Sequence, residues 1–147
     1  MSNHEILSMQ PGRDLDVKLA LDVMGYLWIT HWLQFSAELA VKWLGTQQEL
    51  AEAGGVFKAV KPEDFQALKY RENFAESVPA YSTAADESAK ITAKMAELGF
   101  QYSTETTVAS GNTVYIVGFS KSGKTAATAR AATLPEAVAK AALLAVA

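Results

Sequence analysis

From Thr113 to Ala147 the chain leaves few folds open. Thr113-Val-Tyr-Ile-Val-Gly-Phe119 is dense in β-branched and aromatic residues and follows the turn cluster Ser110-Gly111-Asn112. It therefore reads as a strand. Its apolar residues occupy both parities, the pattern of a central strand covered on both faces. Ser122-Gly123 can supply the positive φ of a short hairpin, and Thr125 to Ala132 returns as the next strand. Thr133 is an N-cap, and Glu136 completes a capping box. Pro135 falls in the first turn, where its missing N–H costs little. Leu134, Val138, Ala141 and Ala145 then share one helical face, flanked by Ala137 and Leu144. The stretch predicts strand, hairpin, strand and a capped helix packed back on the pair.

The same hairpin contains a literal match to a phosphate-binding loop, Gly118-Phe-Ser-Lys-Ser-Gly123-Lys124-Thr125. That motif works where a strand ends and a helix starts at the Lys-Thr pair, so that free N–H groups meet the phosphates. Here Thr125 to Ala132 is poorly amphipathic and the helix cap comes later, at Thr133. Too little chain follows for another strand to bring a magnesium-binding Asp. A solvated hairpin tip carrying Lys121 and Lys124 is the expected reading.

The 147 residues are half hydrophobic and carry a net charge of −3, which suits one compact domain, 1–147, with a real core. Cysteine is absent, so disulfides and thiolate metal sites are excluded. Met1-Ser-Asn-His-Glu5 lacks the basic start and apolar run of a leader, and no apolar stretch reaches a membrane-spanning length. A cytoplasmic protein is expected. The charge is uneven: residues 1–112 are net −6 and residues 113–147 net +3. A small cationic patch formed by Lys121, Lys124 and Arg130 can meet an anionic ligand, or serve only to keep a sheet edge soluble.

Near the N-terminus a short helical piece around Ile6 and Leu7 is broken by Pro11-Gly12. Arg13 to Met24 reads as a helix with Asp14 and Asp16 early, where its dipole favours anions, and Gly25 closes it. Leu15, Leu19 and Val23 form its buried side. An aromatic stretch follows, Tyr26 to Phe35. If extended, it places Trp28, Thr30 and Trp32 on one side and Ile29 and His31 on the other. Two tryptophans so spaced can make a wall for a stacked ring or base, or part of a core or subunit contact. His31 and His4 are far apart and make no metal-ligand spacing. Gln34 to Ala53 is helix-friendly but interrupted at Trp43-Leu44-Gly45, and Gly54-Gly55 ends it. Val56 to Val60 reads as a short strand, and Pro62 to Glu76 as a short helix or an exposed excursion. Residues 34–76 are expected to be irregular or inserted.

Val78-Pro79-Ala-Tyr81-Ser-Thr83 opens the next firm element, with Thr83 as N-cap. Ala84, Ser88, Ile91, Met95 and Leu98 step along one helical side before Gly99. Phe100, Tyr102 and Thr104 then alternate as a strand leading to the turn at Ser110. The second half is α-β-β-β-α, an antiparallel meander with helices laid on it. The fold class is α+β.

Three blocks in order resemble the small bacteriophage proteins of the phage ABA sandwich domain family. They are Pro11-Gly12-Arg13-Asp14-Leu15-Asp16 leading to Val23-Met24-Gly25-Tyr26 and Trp28, then Val78-Pro79-Ala-Tyr81-Ser82-Thr83, and then Thr133-Leu-Pro-Glu-Ala137 leading to Lys140-Ala-Ala-Leu143-Leu144. The resemblance covers most of the chain outside residues 34–76. It implies an α/β/α sandwich of phage or prophage origin, and carries over no catalytic motif.

No acid–base pair, nucleophile or metal cluster stands out, and no cofactor is implied. The expectation is a non-enzymatic accessory binding protein, a homo-oligomer in which three tryptophans and the alanine-rich helix supply the contact surface. A specific form is counter-defence, the sequestering of a small nucleotide signal. Trp28 or Trp32 would stack its base with His31 nearby, and Arg13, Lys121, Lys124 or Arg130 would hold its phosphates. Two alternatives follow from other features. The α-β-β-β-α order is that of a double-stranded RNA-binding module, though the chain is acidic overall. The Gly118–Thr125 match is that of a nucleotide hydrolase.

Overall fold

The computed structural model describes residues 3–31, 38–41, 43–53, 57–60, 67–70, 78–122 and 127–147. They fall into two compact units, residues 1–24 with 79–147, and residues 25–78.

The first unit is built on a three-stranded antiparallel meander. Its strands are β6 (Gln101–Ala109), β7 (Asn112–Ser120) and β8 (Ala127–Ala131), in that order. Ala109 pairs with Asn112 across a two-residue turn in which Ser110 and Gly111 have φ of 53° and 81°. Two positive φ values match the right-handed twist of the flanking strands, and glycine accepts one at no steric cost. The register sets the faces. Tyr115, Val117 and Phe119 of β7 share a face with Ala127, Ala129 and Ala131 of β8 and with Tyr102 and Thr104 of β6. Val117, Phe119, Ala129 and Ala131 are buried there. On the opposite face Val114 and Ile116 are only half-buried. The two apolar parities of β7 are thus unequal: Val117 and Phe119 are buried and Tyr115 half-buried on one, Val114 and Ile116 only half-buried on the other.

Helices α4 (Ala85–Glu97) and α5 (Leu134–Val146) follow the predicted order around the meander, α-β-β-β-α, in an α+β fold. Thr133 caps α5, accepting the Glu136 N–H at 3.4 Å. The Glu136 carboxylate turns to Lys140 Nζ at 2.8 Å, an i,i+4 pair in the favourable orientation. The single apolar stripe expected of α5 is exceeded, because Ala137 through Leu143 are all buried. β7 and β8 pack on one flank, α4 on another, and α1 (Asn3–Ser8) and α2 (Arg13–Asp22) on a third. Alanine makes this feasible, since a small side chain lets several neighbours approach one helix closely. Buried Lys140 survives among them because its Nζ also donates to the Leu7 carbonyl at 3.0 Å.

Thr83 does not cap α4. The N-cap is Ala84, which makes no side-chain cap bond, and Tyr81–Thr83 form a turn closed by Ala84 N–H to Ala80 O. Leu98 comes out exposed as the C-cap rather than on the buried side with Ser88, Ile91 and Met95. Gly99 then takes φ 93° and ends the helix as expected.

The N-terminal elements are tied in through Asp16. It lies in the first turn of α2, as the dipole argument requires, yet it is 1% exposed. Its Oδ1 accepts from the Ser82 backbone N–H at 2.8 Å and the Ser82 hydroxyl at 2.6 Å, and Arg13 Nη1 approaches its Oδ2 at 3.5 Å. Ser82 Oγ in turn accepts the Gly12 N–H at 2.9 Å, one of the free donors at the start of α2.

In the second unit, β1 (Leu27–His31) is the centre of a sheet, with antiparallel β3 (Trp43–Gly45) and β4 (Phe57–Val60) on either side. A separate parallel pair joins β2 (Glu38–Val41) to β5 (Ala67–Tyr70), and α3 (Gln47–Ala53) precedes β4. The strand expected at Val56–Val60 is present as β4. The helix-friendly reading of Gln34 to Ala53 holds only for α3. Strands β2 and β3 take its earlier part, where Val41, Trp43 and Leu44 favour extended pairing over intrinsic helix preference. Ala67–Tyr70 is likewise a strand where a helix or excursion was predicted.

Replacing Asp16 by Ala leaves the buried Ser82 N–H without an acceptor and the Ser82 hydroxyl with only the Gly12 carbonyl at 3.3 Å. Urea unfolding is expected to show a loss of about 3 kcal/mol, and about 2 kcal/mol for Ser82→Ala, with a double mutant well short of the sum.

Candidate functional site

The sequence-predicted site residues do not converge. Lys121 follows the end of β7, and Arg130 pairs with Ile116 five residues back along the same strand. At about 3.3 Å per residue this separates the two cations by roughly 16 Å. Arg130 lies on the half-covered face, in a row with Ile116 and Glu105. It borders a shallow depression with Thr113 and Val114, and it is the single cation there among the described residues. Arg13 is spent beside Asp16 on α2. Lys124 and Trp32 lie outside the described residues, and of His31 only the backbone is described, paired with Phe57 in β1. Trp28 is 8% exposed, so its ring is covered rather than presented as a stacking wall.

The phosphate-loop match resolves into a different structure. Gly118 lies inside β7, opposite Ser103 on one side and Thr128 on the other. A methyl group at this position would sit 2.8 Å from Ser103 Oγ and 3.2 Å from Thr128 Cγ2. Its glycine is therefore explained by crowding between neighbouring strands. The motif's second glycine and its Lys-Thr pair fall in the undescribed residues 123–126. The chain resumes at Ala127 as antiparallel strand β8. A phosphate loop requires a helix at that place.

Among the described residues, one concavity is a groove that the sequence reading missed. A groove of about 490 Å³ runs along α4, walled by Ala85, Ala89, Thr92, Ala93 and Ala96, with Tyr102 at one end and Leu134, Pro135 and Val138 from the start of α5. It exists because the buried stripe of α4, Ser88, Ile91 and Met95, faces α5 and the sheet. The exposed alanines beside it are too small to fill the space toward β6. Tyr102 stands 5.5 Å from Phe119, ring to ring, tilted at 44°, and keeps 40% of its surface exposed. Ser88 and Thr92 supply hydroxyls, and among the described residues no carboxylate, amine or imidazole lines the groove. Lys121 lies beside the α4–β6 connection, its Nζ 5.4 Å from the Phe100 ring centre. The signal in the sequence was alanine recurring at 85, 89, 93 and 96, next to the apolar stripe.

Among the described residues, no group of three or more His, Cys, Asp or Glu side chains is placed to hold a metal ion, and no helix is long and apolar enough to cross a membrane. No protein-family model matches the chain, and neither a curated protein nor a solved structure does.

Gly118→Ala is expected to lower stability by about 1–2 kcal/mol in denaturant melts, because β7 and its neighbours must part. Pairing it with Ser103→Ala removes the nearer clash, and part of the loss returns.

Proposed function

We propose that this chain is a non-enzymatic accessory binding protein of phage or prophage origin. In this reading it acts as a homo-oligomer in the host cytoplasm and holds a small anionic or nucleotide ligand. The observation that carries this reading is the groove along α4: apolar walls, one half-exposed aromatic ring and two hydroxyls, with Lys121 over the Phe100 ring two residues before Tyr102. Small-ligand sites have this composition, with few polar groups fixing orientation inside an apolar cleft. A base or similar flat ring stacks on Tyr102, Ser88 and Thr92 offer hydrogen bonds to its edge, and Lys121 meets a phosphate. Sequestration of a nucleotide signal, and so counter-defence, is the form of the reading in which binding alone is the activity. The phage origin rests on the resemblance of the three sequence blocks, two of which meet at Asp16 and Ser82.

Titration calorimetry of the chain against a panel of cyclic and linear nucleotides is the test. Binding by at least one is expected, weakened about tenfold or more by Tyr102→Ala and several-fold by Lys121→Gln. No heat from any member of the panel removes the nucleotide reading.

The α4-β6-β7-β8-α5 order also supports a second reading, a duplex-RNA-binding module. Such modules meet phosphates with basic groups at the start of the last helix. Here that start carries Glu136, paired with Lys140. Retention of duplex RNA on a filter at low salt would favour this second reading over the first.

A further inference from the structure

Four polar side chains are buried among the described residues: Asp16, Ser82, Ser88 and Lys140. Three are matched within the fold, Asp16 and Ser82 by each other, and Lys140 by Glu136 and the Leu7 carbonyl. Ser88 differs. It is 5% exposed, and its backbone N–H donates to the Ala84 carbonyl at 2.9 Å. Among the described residues its hydroxyl has no hydrogen-bond partner. The oxygen is not sealed off either, because Ser88 lines the groove along α4. A buried polar group without a partner is uncommon and needs an explanation. Packing supplies none here. Ala84, Ala85 and Ala89 surround this position in the chain, and alanine is the better helix former, with no hydroxyl to take out of water.

We propose that Ser88, together with Thr92, sets the specificity of the groove, and that the part of the ligand it reads is an uncharged flat ring and not a phosphate. This rests on the nucleotide reading above and names the portion of the nucleotide that enters. Ser88 and Thr92 are one helical turn apart and share a face of α4, so their side chains start about 6 Å apart. Each hydroxyl both donates and accepts. Two such groups in line suit two polar atoms along the edge of one ring that lies against Tyr102.

The charge of the groove decides which part goes in. Among the described residues no charged group lines it. A phosphate placed there would shed its water against alanine, leucine and proline with no cation in exchange. A neutral ring gives up only hydrogen bonds that the two hydroxyls return. The volume of about 490 Å³ is ample for a ring with its sugar. The ring enters, and the phosphate stays on the solvent side.

The test is calorimetry of the whole chain with adenosine, guanosine, cytidine and uridine beside their 5′-monophosphates, together with thermal melts. The best nucleoside is expected to bind within about tenfold of its monophosphate. Ser88→Ala is expected to weaken both about fivefold and to leave the melting temperature unchanged or raised, where a merely structural serine would lower it. Ala93→Leu, at an exposed position of α4 that lines the groove, is expected to keep the melting temperature and to abolish binding by filling the space. A monophosphate that binds while its nucleoside does not overturns this inference and leaves the nucleotide reading standing. So does a Ser88→Ala chain that binds as tightly as the parent, or one that melts lower, which assigns the hydroxyl to the fold. No heat from any nucleoside or nucleotide overturns both.

Discussion

The first unit depends on one buried carboxylate. Asp16 has left water almost completely, and an unpaired charge in that position would be prohibitive. It is tolerated because Ser82 offers both a backbone N–H and a hydroxyl to the same oxygen, at 2.8 and 2.6 Å. Those bonds fix the Pro79–Thr83 turn against the start of α2, and Ser82 also takes the Gly12 N–H. One side chain thereby satisfies a helix start and positions the entry to α4. The helix dipole adds to this, since the anion sits in the first turn.

Around that joint the packing is hierarchical. The α4–α5 pair covers one face of the meander, and α1 and α2 close over α5. Hydrophobic burial supplies most of the drive, but the polar links set the geometry. Lys140 fixes α1 by donating to the Leu7 carbonyl while Glu136 neutralises its charge. A long stem with a satisfied head lets a lysine act as core. Where α4 turns its alanines outward the packing ends, and that leaves the groove. The absence of bulk there creates the cleft on which the binding reading stands.

The meander and its helices were legible because their signals were local: a positive-φ turn at Ser110-Gly111, a cap at Thr133, a helix stop at Gly99. The second unit was less legible. Its strands are only three to five residues long, and short apolar runs near Trp43 do not carry enough period to separate strand from helix. Asp16 was placed on its helix correctly but assigned to the dipole alone. Its partner is Ser82, which no local pattern links to it. The groove escaped for a related reason. Which side of α4 faces solvent depends on how wide β6 leaves the gap, and alanine reads equally well as core or surface. The cationic residues, close in sequence, were separated by strand geometry: Arg130 sits beside Ile116 at the middle of β7, while Lys121 follows its end.

The Asp16–Ser82 link joins residues 66 apart in the chain, and most of what lies between them belongs to the other unit. Closing such a loop has an entropic cost that grows only as the logarithm of its length, about 0.6 kcal/mol for each doubling. Once Asp16 and Ser82 have met, a longer or shorter interlude between Met24 and Pro79 changes the folding free energy of the surrounding framework by less than one good hydrogen bond to a charged group. The framework can therefore tolerate an interlude of quite different size while keeping the same sheet, the same two helices and the same buried carboxylate.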